Sequence, residues 1–279
     1  MILHAIFATK QGDTSLRIFT PDTDVLVLAV NYFSRFPINT CVNLLGMHSR
    51  EIPLHKLFNS LGRNHALALL VMHALSGVNV TGSFAGKAKT MFWNRFLEAD
   101  SDVLEALTAM GKEKLGDEIF QYIETYVCSI YSTPLSASAH LATLHELRWW
   151  LFSKKQAEGT SMPQTQAALH PAIRRAHYQA MEWQRADVAH PLLPLPSDFD
   201  WTLENGSYKP ILCDLPCAPP ELLEIVRCSC RRSRCAPPCK CLANLTGCIE
   251  MCACRGDSDN CDNTGETDDN ELVTDDEMS

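Results

Sequence analysis

Nine of the chain's thirteen cysteines lie between Cys228 and Cys261, in the run CSCRRSRCAPPCKCLANLTGCIEMCACRGDSDNC. Thiolates are soft ligands suited to zinc, and closely spaced ones satisfy its tetrahedral preference. Apart from Leu242, Leu245, Ile249 and Met251 the run has almost nothing to bury, so its order must come from cross-links or from metal. Disulfides need an oxidising compartment and usually an even number of cysteines, and the opening MILHAIFATKQGD is no secretory signal. Nine thiolates do not divide into separate four-ligand sites. They do serve three zinc ions, which need twelve contacts, if three thiolates bridge and six are terminal. The expected ligands are Cys228, Cys230, Cys235, Cys239, Cys241, Cys248, Cys252, Cys254 and Cys261, in a structural cluster of three zinc ions. A metallothionein-like metal store is the alternative use of the same residues.

Charge bears on what such a module touches. From Arg227 to Arg255 there are six basic side chains against Glu250. Three zinc ions and nine thiolates together bring minus three, so the loaded module stands near plus two, enough for weak contact with phosphate. Arg231, Arg232, Arg234 and Lys240 are the expected DNA contacts. The whole chain carries minus nine, but seven of its acids fall in the last sixteen residues, TGETDDNELVTDDEMS, a composition expected to be disordered. No apolar run approaches the ~20 residues that cross a bilayer, and clustered free thiols point to a reducing compartment, nucleus or cytosol.

A second group of residues has different chemistry. Asp22 and Asp24 follow the β-prone run Leu16 to Thr20, and carboxylates at the C-terminal end of a strand are where open α/β sheets place ligands. Such a pair can converge on magnesium or manganese, although a D-T-D turn capping a following helix uses the same letters. His65 and His73 read as core or surface residues, and Arg174, Arg175 and His177 as a small basic patch on a helix, of the kind that can face DNA.

The elements that would position these residues are mixed. Ile2 to Lys10 reads as a helix, Leu16 to Thr20 and Thr40 to Met47 as strands. Helical periodicity covers Leu54 to Leu61, Asn64 to Ser76, Val103 to Tyr131, Ala137 to Lys155 and Gln164 to Ala186. Prolines 191, 194 and 196 punctuate the chain before Trp201. The expected organisation is an α/β domain over 1–100, a helical extension over 101–190, a proline-containing linker over 191–227, the cysteine module over 228–263 and an acidic tail over 264–279.

CSCRRSRC, PPCKCLANLTGC, CIEMCAC and the closing CDN resemble the CXC module of tesmin-type DNA-binding proteins, and more distantly the pre-SET zinc cluster of histone methyltransferases. Tesmin-type modules place a tyrosine before the second Cys-x-Cys pair, where this chain has Pro237 and Pro238. TPDTDVLVLAV (Thr20 to Val30) and HALSGVNVTGSFAGKAKTMFW (His73 to Trp93) are similar to a family of transposon-associated animal proteins with a PIN or flap-endonuclease-like core. That resemblance implies a truncated PIN-like Rossmannoid fold and a metal-dependent nuclease site holding Asp22 and Asp24. Asn79 stands where the family has a third aspartate, and the family's upstream acidic block is absent from this sequence.

The expected function is therefore that of a zinc-binding, DNA-associated nuclear protein derived from a mobile element, with a degenerate nuclease-like domain. A magnesium- or manganese-dependent nuclease using Asp22 and Asp24, and a protein-interaction scaffold acting through the CXC module, are the alternatives.

Overall fold

A computed structural model describes residues 1–264 except 47–48, 79–80, 83, 113, 134–140, 142, 155–160, 217–226, 231–233 and 258. Two compact units emerge, Met1–Asp214 and Leu215–Ser279. The first is a mixed α/β unit, and the second holds the nine clustered cysteines.

In the first unit, α1 (Ile2–Lys10) leads into β1 (Ser15–Thr20), α2 (Thr23–Asn31), β2 (Asn39–Leu44) and β3 (Arg50–Pro53). The sheet order is β1-β2-β3. β1 runs parallel to β2, with Ser15 opposite Asn39 and Thr20 opposite Leu44, and β2 is antiparallel to β3. A parallel pair needs a crossover, and α2 is that crossover. Val25 to Val30 is thus the apolar face of a helix, with Val27, Ala29 and Val30 buried. Asp22 explains why α2 starts where it does: its Oδ1 accepts the Asp24 N–H at 2.9 Å, a carboxylate N-cap on the positive end of the helix.

Helices make up the rest of this unit's core. α3 (Leu54–Leu75) joins the two expected helical segments end to end, broken by non-helical backbone at Gly62. It packs against α2, α5 (Ser101–Ala109) and α8 (Gln166–Trp183), with α4 (Lys89–Leu97), α6 (Asp117–Tyr131) and α7 (Leu144–Ser153) completing the body. These contacts cross residue 100, so the expected α/β domain and helical extension are one packed unit. The expected linker also belongs to it as far as Asp214: a 3-10 turn (Pro196–Phe199) and the hairpin β4 (Trp201–Glu204) and β5 (Ser207–Pro210) fall there. Among the described residues no helix is long and apolar enough to cross a membrane.

The single helix expected over Val103 to Tyr131 is two helices, α5 and α6. Gly111 ends the first, with φ +82° and no room for a side chain: a Cβ there would lie 2.9 Å from Ala180 Cβ and 2.7 Å from Gln184 Nε2. Helical periodicity persists on both sides of the break and hides it. In the expected helix Ala137 to Lys155, the described part is α7, where Trp150 packs on the core and Trp149 is exposed; residues 137–140, 142 and 155 lie outside the described residues.

Glu124 ties three helices together. It is buried, with one carboxylate oxygen accepting the Leu144 N–H at 2.7 Å and the other the Gln166 side-chain amide at 2.7 Å. The first N–H of α7 would otherwise be an orphan donor. Replacing Glu124 with alanine strands both donors and should cost about 2–4 kcal/mol. Urea unfolding of the variant measures this; an unchanged midpoint would show that water replaces the carboxylate without loss.

Candidate metal centre

The nine predicted cysteines come together in the second unit. Eight are buried and Cys230 is half-buried, and they form a cluster of their own with almost no other apolar material. None of the described cysteines is in a disulfide. Their sulfurs stand at another spacing: Cys228 Sγ lies 3.7 Å from Cys235, 3.9 Å from Cys248 and 3.8 Å from Cys254, and Cys241 Sγ lies 3.6 Å from Cys252. A disulfide needs about 2.05 Å. A tetrahedron of sulfurs with metal bonds of about 2.3 Å has edges of about 3.8 Å. The spacing is therefore one at which these thiols could hold zinc. Three overlapping sets of four have all their sulfurs within 4.8 Å of one another, and each contains Cys228.

Local backbone explains how so few residues hold this shape. Cys235 itself adopts φ +62°, with Arg234 at +45°, Leu245 at +55° and Arg255 at +61°. Each such non-glycine residue costs about 1 kcal/mol or more, which persists only where the surroundings over-determine it. Gly256 also turns left-handed, and a Cβ there would meet the Cys248 carbonyl oxygen at 2.7 Å. The closing Cys-Asp-Asn is a clasp. Asn263 accepts the Cys248 N–H at 2.6 Å, its side-chain amide donates to the Thr246 carbonyl at 2.9 Å, and its own N–H points at Cys261 Sγ at 3.3 Å. Asp262 binds Arg234 through Nε at 2.8 Å, and Arg234 also donates to the Asp259 carbonyl at 2.7 Å.

Crowding sets the acidity of the thiols. Burial pushes Cys228 up to about 12 and raises Cys235 and Cys248 further. Burial is the largest single influence on Cys239 and Cys254 too and raises both, but it is opposed by backbone N–H groups, those of Leu242 and Cys241 for the first and of Gly256 for the second. With neighbouring thiols they bring both down to about 7.

The predicted DNA contacts fare differently. Arg234 is tied to Asp262 and Asp259, so its charge is already met within the module. Lys240 is exposed and lines a polar groove of about 450 Å3 with Arg227, Ser229 and Met251. Arg231 and Arg232 lie outside the described residues.

In the first unit Asp22, the N-cap of α2, and Asp24, in its first turn, follow β1 and line a cleft of about 570 Å3 with Gly77, Gly82 and Lys89. Asp24 is engaged by His73, a core histidine whose partner the sequence does not show: buried in the last turn of α3, it holds its Nε2 2.7 Å from Asp24 Oδ1, its ring stacked on Trp183 at 5.9 Å. Asp100 caps α5 by accepting the Val103 N–H at 2.9 Å, and neither it nor Asp102 lines the cleft. Asn79 lies outside the described residues. Among the described residues, the groups able to hold a metal ion are all sets of cysteines.

Compared with models of protein families, with curated protein sequences and with solved structures, the chain matches none.

Because metal replaces protons on the raised thiols, loading the cluster should release protons, and acid should oppose it. Lowering pH from 8 to 6 protonates Cys239 and Cys254 as well. The free zinc needed for half-loading should rise more than about tenfold, as measured by competition with a chromophoric chelator; pH-independent loading would contradict thiolate ligation.

Proposed function

We propose that the chain is a zinc-binding, DNA-associated protein derived from a mobile element, with three zinc ions shared among nine thiolates and a nuclease-like domain that no longer cuts. The sulfur spacing carries the metal reading. Cys228, Cys230, Cys235 and Cys239 surround one corner of the cluster, and Cys241 neighbours Cys252, Cys248 and Cys239 at a second. At the third, Cys248, Cys254 and Cys261 are mutual neighbours. Cys239 and Cys248 would then each serve two corners, and the third shared thiolate would come from the adjacent pair Cys228 and Cys235, both of which reach the last corner. Full thiolate coordination leaves no open position for water, so the zinc is structural.

The groove of Arg227 and Lys240 beside the cluster is the surface that supports DNA association, since two exposed cations and the Ser229 hydroxyl in one groove suit backbone phosphate. The resemblance to tesmin-type modules agrees with this, and so does that to transposon-associated proteins for the origin of the chain. Native mass spectrometry of the zinc-loaded protein should count three metal ions per chain, and fluorescence anisotropy should show duplex DNA binding that weakens steeply with salt. Arg227→Ala with Lys240→Ala should weaken it about tenfold or more at low salt. Zinc loading with no DNA affinity would instead support a protein-interaction scaffold.

A second reading rests on the Asp24–His73 pair in a cleft that also holds Asp22 and Lys89, an arrangement able to position a phosphodiester or a water. With two carboxylates among its described residues, one of them bonded to an imidazole, the cleft falls short of the set that two-metal hydrolysis requires. Flap and single-stranded DNA should therefore stay intact with magnesium or manganese. Cleavage abolished by Asp24→Ala would reverse this in favour of a nuclease.

A further inference from the structure

Arg174, Arg175 and His177 do not form an open basic patch. Arg174 is paired with Asp200 and Asp214, Arg175 is buried and donates to the Ile211 carbonyl, and His177 is 2% exposed. Arg174 and His177, together with Lys112, Lys114 and Leu115 from the loop between α5 and α6, instead line an open cavity of about 540 Å3, within the ~300–1,000 Å3 range of small-molecule sites.

Two aromatic rings, Phe120 and Phe199, and the thioether of Met181 line the cavity, so it favours a flat apolar body. Phe199 is held in place by packing against His177 at 5.6 Å and Tyr178 at 5.2 Å between ring centres. Its polar side comes from the loop: Lys112 and Lys114 line the cavity, both exposed, and among the described residues neither has an ion-pair partner. Arg174 lines it too, but its charge is met by its two aspartates. Asp198 supplies one negative charge against the two lysines.

His177 orders this site. Its Nδ1 accepts the Gly111 N–H at 2.8 Å, which leaves the proton of the neutral ring on Nε2. Burial lowers its pKa to about 4, so the ring is neutral at pH 7. Among the described residues Nε2 has no partner, and His177 is part of the cavity wall. The same bond anchors the lysine-bearing loop to α8, with Gln184 Nε2 donating to the Met110 carbonyl at 3.1 Å as a second anchor.

We propose that this cavity binds a small organic anion with a flat apolar body, its ring between Phe120 and Phe199 and its anionic group held by Lys112, Lys114 and the His177 Nε2–H. The site is separate from the metal cluster and does not depend on the function proposed above.

The probe is 2-naphthoate, with the neutral 2-naphthamide as its control, titrated into the full-length zinc-loaded protein carrying 13C-labelled methionine and leucine methyls. The Met181 methyl should shift with a Kd of about 0.1–1 mM, and the amide should bind at least about tenfold more weakly. Lys112→Ala with Lys114→Ala, both exposed, should lose about tenfold in affinity with the helical circular dichroism unchanged. The same two lysines also line a neighbouring cavity of about 440 Å3 containing Leu67 and Leu104. Shifts confined to those leucine methyls, equal binding of acid and amide, or full affinity in the double variant would each overturn the proposal.

Discussion

A thiol buried among other thiols has two stable conditions: it keeps its proton, or it gives its charge to a cation. The second unit is built on that constraint. Its described core consists of cysteine, and Leu242, Leu245, Ile249 and Met251 all remain at least partly exposed around it. With so little apolar surface to bury, the free energy of ordering the loops has to come from bonds to sulfur. The left-handed residues at Arg234, Cys235, Leu245 and Arg255 fit that view, since each is a backbone choice that local preference opposes and the cluster imposes.

Around the sulfurs runs a layer of hydrogen bonds that decides where each thiol stands. Backbone N–H groups reach Cys252 Sγ from Cys228 and Ile249, and Asn263 reaches Cys248 Sγ and Cys261 Sγ. Such contacts stabilise thiolate charge and orient ligands, the part that groups outside the first ring of ligands play in metal sites generally. The Arg234–Asp262 pair closes the loop on the outside. An arginine that looks available for phosphate in one dimension is thereby spent on holding the module together.

Much of this was legible from residue order alone, and the losses share one physical cause. The cysteine set was readable because ligand type and count constrain metal chemistry directly. The strand ahead of Asp22 and Asp24 and the helices before and after Gly62 were readable because periodicity is local. What was missed depends on partners distant in sequence. Asp24 meets His73 forty-nine residues later, Arg234 meets Asp262 across twenty-eight, and Gly111 is set by His177 sixty-six residues on. The basic look of Arg174, Arg175 and His177 was misleading for the same reason, because Asp200, Asp214 and burial cancel it. The domain boundary expected at residue 100 failed because α3 finds its packing partners in α5 and α8.

The most direct test of the shared-thiolate cluster is 113Cd NMR of the protein reconstituted with cadmium in place of zinc. A bridged cluster predicts three resonances in the all-sulfur region, coupled to one another through the shared sulfurs. Two uncoupled resonances, or shifts that report oxygen or nitrogen ligands, would contradict it.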